Sequence, residues 1–302
     1  MTPMSGALDW LAVGDVAEER AASGPGILGG GAARLAAHAG ALSARTALVA
    51  KVGADEAGRR VRDALERLRV DLRWLREAPG LRTTIWHHAD GEPQLRRVER
   101  GADLALRLDE LPPTSVMAAL TVVSGYSLSV EPARSAALGA LTGATARGGR
   151  SALLLEADPL WWTNARMTRR VLEPALAAVD SVALQAADAR ALFGAVDNRE
   201  ALRLLAGMGP RLVYLAEQDG SVLLREGGRV YWCPANADED APRDRYAGPA
   251  AFWVSLARRS APRKAAADSI RYAQSVRRAG APRQPHASLP VAGRGREGLP
   301  RL

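Results

Sequence analysis

The chain is poor in the residues that mark several protein classes. One of its 302 residues is a cysteine, Cys233, so an intramolecular disulfide framework is excluded. Its four histidines and lone cysteine show no spacing of the zinc-site type. His87 and His88 are neighbours in an extended stretch, so they face opposite ways and cannot share one metal from a regular strand. No apolar run approaches the roughly 18 residues that cross a bilayer. The opening stretch "MTPMSGALDWLAVGD" lacks a basic segment ahead of a long apolar one, the pattern of an export signal. These absences lead us to expect a cytoplasmic protein with no membrane partner. Only two of the 41 basic residues are lysines, Lys51 and Lys264, a bias that genome composition produces more often than function.

What is present is an ordinary globular composition, 47% hydrophobic and 25% charged. The length suits one large α/β domain or two small ones. The net charge of +8 is uneven: residues 258–302 hold 11 Lys or Arg against Asp268 and Glu297, a balance of +9, which leaves −1 for residues 1–257. No nucleic-acid motif accompanies the basic segment, so nucleic acid is not expected as a partner.

Patterning places "LDWLAVGD" as a buried strand, "GILGGGAARLAAHAGAL" as a glycine turn opening a helix, and "TALVAKVG" as a second strand. Residues 72–100 read as short strands joined by turns, with a hairpin at Asp90-Gly91. From Pro112-Pro113 onward strands and helices alternate, which predicts a mainly parallel sheet with helices on both faces. Such sheets bind ligands at the carboxyl ends of their strands. Residues 281–302, rich in Pro, Gly and Arg, read as a disordered basic tail after a domain spanning 1–280.

Three stretches in order, "GGGAARLAAHAGALSARTALVAKVGADEAG", "RRVERGADLALRLDELPP" with "TVVSGYSLSV" and "EADPLWW", and "DRYAGPAAF" with "IRYAQSVRRAGAPRQP", resemble the PfkB or ribokinase family of sugar kinases. Within it the likeness is greatest to 2-keto-3-deoxygluconate kinases. The resemblance implies a ribokinase-like three-layer α/β fold with a small β lid near 72–100, and a homodimer through that lid. It implies transfer of the γ-phosphate of ATP, with Mg²⁺, to a hydroxyl of a sugar or sugar acid. On the substrate side it points to Glu19, Gly29, Gly30, Arg34 and Arg100, the last equally readable as a solvated strand-end arginine; Glu156 and Asp158, the acidic residues at the carboxyl end of "SALLLEAD", are candidates for Mg²⁺ or a sugar hydroxyl. On the nucleotide side it points to Asp188, Glu217, Gly220, Asp244 and Gly248.

The sequence also departs from that family. Its C-terminal signature reads roughly D-T-T-G-A-G-D-A-F, where the second Asp takes the hydroxyl proton. Set against "DRYAGPAAF", Ala250 stands where that base should be, and Gly248 remains in a remnant anion hole beside Pro249, which has no N–H. Arg34 replaces a sugar-contacting Asn, which points to an anionic ligand or a salt bridge. Glu217 sets a negative charge near the expected triphosphate. We therefore expect a homologue with weak or lost phosphotransfer, kept for ligand binding or as a partner subunit. The alternative is an active kinase with a relocated base. His38, on a helix of alanines, reads as a packed or capping residue, and Cys233, in a strand, as a core thiol.

Overall fold

The computed structural model describes residues 8–21, 26–89, 95–113, 118–162, 164–194, 197–235 and 244–278. Nine strands form one sheet. In chain order they are β1 (Leu8–Val13), β4 (Thr46–Gly53), β5 (Asp71–Ala78), β8 (Ala118–Ser124), β9 (Arg150–Leu154), β10 (Ser181–Gln185), β11 (Leu212–Ala216), β12 (Val222–Glu226) and β13 (Arg229–Cys233). Their spatial order is β13-β12-β11-β10-β9-β8-β1-β4-β5. All neighbours pair parallel except β11–β12 and β12–β13. The β12–β13 hairpin turns at Gly227, whose φ of +56° suits glycine.

Alternation along the strands separates two cores. Trp10, Ala12, Leu48, Ala50 and Val122 face one layer, formed with helices α1 (Gly31–Ala41), α2 (Glu56–Arg67), α7 (Ala247–Ala257) and α8 (Pro262–Arg278). Leu11, Val13, Ala47, Val49 and Val123 face the other, formed with α3 (Ala133–Ala146), α4 (Ala165–Ala178), α5 (Ala186–Phe193) and α6 (Asn198–Gly207). A strand buried on both faces reads as a continuous apolar run, which is why "LDWLAV" shows no polar alternation. The three-layer fold is as expected.

The lid is a separate four-stranded sheet of order β3-β2-β6-β7. It comprises β2 (Ala17–Arg20), β3 (Ile27–Gly29), β6 (Thr84–His88) and β7 (Leu95–Glu99). This corrects the expected lid range. Residues 71–78 pair parallel with β4 as the edge of the large sheet, and the lid instead takes its other two strands from residues 17–29. Pairing partners distant in sequence decide this, and local pattern does not carry them. The strands flanking Asp90-Gly91 pair antiparallel, as a hairpin requires; the turn itself, like residues 281–302, lies outside the described residues. Under the lid Trp86 stacks on Trp161 with centroids 5.7 Å apart, and Tyr126 meets both edge-on.

Candidate active site

The parallel strands β1, β8, β9, β10 and β11 bring their carboxyl ends to one edge of the large sheet. β1 runs out through Gly14 into Asp15, which is 1% exposed and accepts from the Gly31 N–H at 2.5 Å and the Ala32 N–H at 3.1 Å. Its carboxylate thereby satisfies the first turn of α1, where the helix dipole favours negative charge. The Ser124 hydroxyl, from the end of β8, donates to it as well. Burial pushes the Asp15 carboxyl above its ordinary range, against the Ser124 hydroxyl and the two amides. Gly30, at φ +88°, is the one residue type that fits before α1, because a Cβ there would lie 2.7 Å from the Val16 Cα. Gly29 ends β3 against Glu19: a Cβ on it would meet the Glu19 Cγ at 2.6 Å.

Glu156 follows β9 and is fully buried. Its Oε1 accepts from the Tyr246 hydroxyl at 3.1 Å, while Oε2 has no partner. Burial pushes this carboxyl up to about 8, opposed by the Arg245 charge and reinforced by Asp15 and Asp188. Asp158, two residues on, is half-buried and accepts from the Leu160 N–H at 2.9 Å, so it serves the turn. Trp162 donates its indole N–H to the Glu156 carbonyl at 2.8 Å, and Trp161 is core.

Arg34 lies between two carboxylates. Nη1 reaches Glu19 at 3.0 and 3.3 Å, and Nη2 reaches Asp244 Oδ2 at 3.0 Å. The salt-bridge expectation for Arg34 is the one the geometry bears out. Asp244 also meets His38 Nε2 at 3.0 Å and accepts from the Tyr246 N–H at 2.9 Å. His38 is therefore buried but polar-paired, with Tyr272 on its other nitrogen at 3.1 Å.

Asp188 sits in the first turn of α5. Its Oδ1 accepts from the Ala157 N–H at 3.0 Å, and its Oδ2 from the Gln185 N–H at 2.9 Å and Arg245 Nη2 at 2.6 Å. Glu217, after β11, accepts from the Asn198 amide at 2.9 Å and the Ser221 hydroxyl at 3.3 Å. It lines a small cleft with Gly220, Asp244, Arg245 and Gly248. Gly220 holds φ +85° in the turn between β11 and β12.

No side chain caps α7, and its first internal bond runs from the Ala250 N–H to the Tyr246 carbonyl at 3.0 Å. Pro249 supplies no donor, which leaves Ala247 and Gly248 as the N–H groups of that turn. A Cβ on Gly248 would stand 2.7 Å from the Tyr214 hydroxyl, so only glycine fits. Ala250 is wholly buried.

A description of the pfkB family of carbohydrate kinases matches residues 15–239. The chain belongs to that family. A fructokinase from Klebsiella pneumoniae is 28% identical over 235 residues, covering 75% of this chain and 76% of that protein. Aminoimidazole riboside kinase from Salmonella enterica, solved with aminoimidazole riboside and an ATP analogue, superposes with a TM-score of 0.75. The two share 19% identity over 88% of this chain and 91% of that one. Fructokinase from Vibrio cholerae, solved with fructose, ADP and calcium, gives 0.78 at 20% identity over 88% and 90% of the two chains. These likenesses establish the ribokinase-like fold.

The family implies ATP and a metal ion; Mg²⁺ is commonly held by one or two carboxylates together with substrate phosphates, and Asp188 is the carboxylate expected there. Asp188 already serves two amides and a guanidinium, and among the described residues no three His, Cys, Asp or Glu side chains converge on one point. Of the residues expected on the substrate side, Gly29 packs against Glu19, Glu19 is joined through Arg34 to Asp244, and Glu156 meets Tyr246. Arg100 is exposed at the lid's exit. Four residues of these hydrogen-bond networks escaped sequence reasoning, Asp15, Ser124, Arg245 and Tyr246, and His38 has a polar partner in Asp244 that the sequence did not disclose. Asp15 ends a buried strand, which is itself a signal of a ligand-facing position. Arg245 and Tyr246 sit in the quoted turn, but their partners lie 57 and 90 residues away.

Proposed function

We propose that this pfkB-family member has lost most or all ATP-dependent phosphotransfer and is kept as a ligand-binding protein or partner subunit. The observation that supports this is Ala250, buried in the first turn of α7, where the resemblance of "DRYAGPAAF" to the family signature would put its acid. Alanine accepts no proton, and losing a positioned general base costs about 10²–10⁴ in rate. Pro249 removes an N–H from the same turn, and one such donor is worth about another 10²–10³. Asp244, the nearest described carboxylate along the chain, has its oxygens engaged by Arg34, His38 and the Tyr246 N–H. Glu217 brings a negative charge to the nucleotide side, and its hydrogen-bond partners among the described residues, Asn198 and Ser221, are neutral, which disfavours a triphosphate.

The ligand class we infer from the three sequence stretches is a sugar or a sugar acid of the 2-keto-3-deoxygluconate kind. Arg100 is the candidate to meet an acid's carboxylate, since Arg34 already serves two. A cytoplasmic homodimer through the lid completes the proposal.

The second reading, an active kinase with a relocated base, has one observation in its favour: the unpartnered Glu156 Oε2. Against it, a carboxyl pushed to about 8 holds its proton at neutral pH, so it would serve as a base only in alkali. The test is a phosphorylation screen with ATP·Mg²⁺ against fructose, ribose and 2-keto-3-deoxygluconate, using the natural chain and Ala250→Asp. We expect turnover at background for the natural chain and a measurable gain for the variant. Robust turnover by the natural chain overturns the proposal, and a rate that climbs through about pH 8 and vanishes in Glu156→Gln would establish the second reading.

A further inference from the structure

A line of charged and polar groups runs from lid to body. His88 on β6 stands 3.3 Å from Glu19 on β2, Glu19 holds Arg34 of α1 at 3.0 Å, and Arg34 holds Asp244 ahead of α7 at 3.0 Å. The Arg34 guanidinium carbon lies 4.5 Å from the centroid of the Tyr246 ring. The groups around it come from different walls: two lid strands, the helix after the glycines, and the turn before α7. The Arg34 side chain is 11% exposed, and those of Glu19 and Asp244 are 7% and 12% exposed.

Two carboxylates and an aromatic face form a cradle for a flat, delocalised cation. The fork geometry uses both terminal nitrogens, one per carboxylate, which an ammonium cannot reproduce. Burial pushes the Glu19 carboxyl up, but Arg34 and His88 outweigh it and hold it below its ordinary range, so it stays ionised against the guanidinium.

We propose that Glu19, Asp244 and the Tyr246 ring form a guanidinium-binding site whose resident ligand is the protein's own Arg34, and that this contact ties the lid to the body. Truncation of Arg34 leaves a vacant acid-lined cradle, and the ligand class it takes is a small planar guanidinium or amidinium cation. The proposal deepens the reading of a protein kept for binding rather than turnover. Its test reads stability and amide exchange, so it fails or stands separately from any measurement of phosphotransfer.

The test is thermal unfolding of Arg34→Ala with millimolar methylguanidinium chloride, beside methylammonium chloride and sodium chloride at equal ionic strength. Leaving two buried carboxylates without their cation should lower Tm by about 10 °C. Methylguanidinium should restore at least half of that loss saturably, while the two control salts restore little, and the natural chain should not respond. An unchanged Tm in Arg34→Ala, or a loss that methylguanidinium and methylammonium repair equally or not at all, overturns the proposal. Should Arg34→Ala give no folded protein, the charge-balanced Glu19→Gln/Arg34→Met chain takes its place. Hydrogen exchange of its β2 and β6 amides should then be about tenfold faster than in the natural chain, with the large sheet unchanged. Equal exchange in the lid overturns the tie.

Discussion

Glu156→Gln isolates the buried acid at the end of β9. In the folded protein, burial pushes this carboxyl from its ordinary 4.5 up to about 8, with Arg245 opposing and Asp15 and Asp188 reinforcing. A folded value above the unfolded one means that the fold favours the protonated form. That stabilisation is complete below 4.5 and is lost as pH rises through about 8. Each pH unit between the two values is worth about 1.4 kcal/mol, so ionising Glu156 in place costs up to about 5 kcal/mol. Asp103, pushed to about 7 chiefly by its own burial, loses stability over an overlapping window, so the pH curve of the natural chain contains both. Glutamine keeps an oxygen for the Tyr246 hydroxyl and never ionises. Tm measured from about pH 5 to about pH 9 should therefore fall less steeply in the variant than in the natural chain. At about 2 °C per kcal/mol, the low end of the range and the one suited to 302 residues, the variant should melt up to roughly 10 °C higher at the alkaline end. At the acid end the two should nearly coincide. Parallel curves, or a variant that melts lower in alkali, would refute the assignment of Glu156 as a buried neutral acid.

Two further outcomes follow from the same geometry. Gly30→Ala should lose more than about 2 kcal/mol in urea unfolding, because φ +88° is strained for alanine and its Cβ would meet the backbone of Val16 and Asp15 within 2.9 Å. Asp188→Ala should lose about 3 kcal/mol, since it strips Arg245 of its carboxylate and two amides of their acceptor; Asp188→Ala/Arg245→Met should regain part of that in the same assay.

Much of this molecule is legible in its sequence. The alternating strands and helices after Pro112 predict the parallel sheet because hydrophobic period and turn residues act locally. The glycines ahead of α1 and the turn ahead of α7 read as ligand-facing for the same reason: a helix N-terminus with small residues exposes N–H groups whatever packs elsewhere. The identity of Ala250 at its place in "DRYAGPAAF" is a fact of sequence alone. What each charged group does there is not. Arg34 reads equally as an anion receptor or a salt bridge until Asp244, 210 residues away, is brought to it. Residues 71–78 have a strand's pattern, but only pairing with β4 makes them part of the large sheet rather than the lid. Glu156 is an ordinary carboxylate in sequence, and only enclosure makes it a neutral acid. Composition and period set local conformation over a few residues; charge state and partnership depend on distance and dielectric, which tertiary packing alone decides.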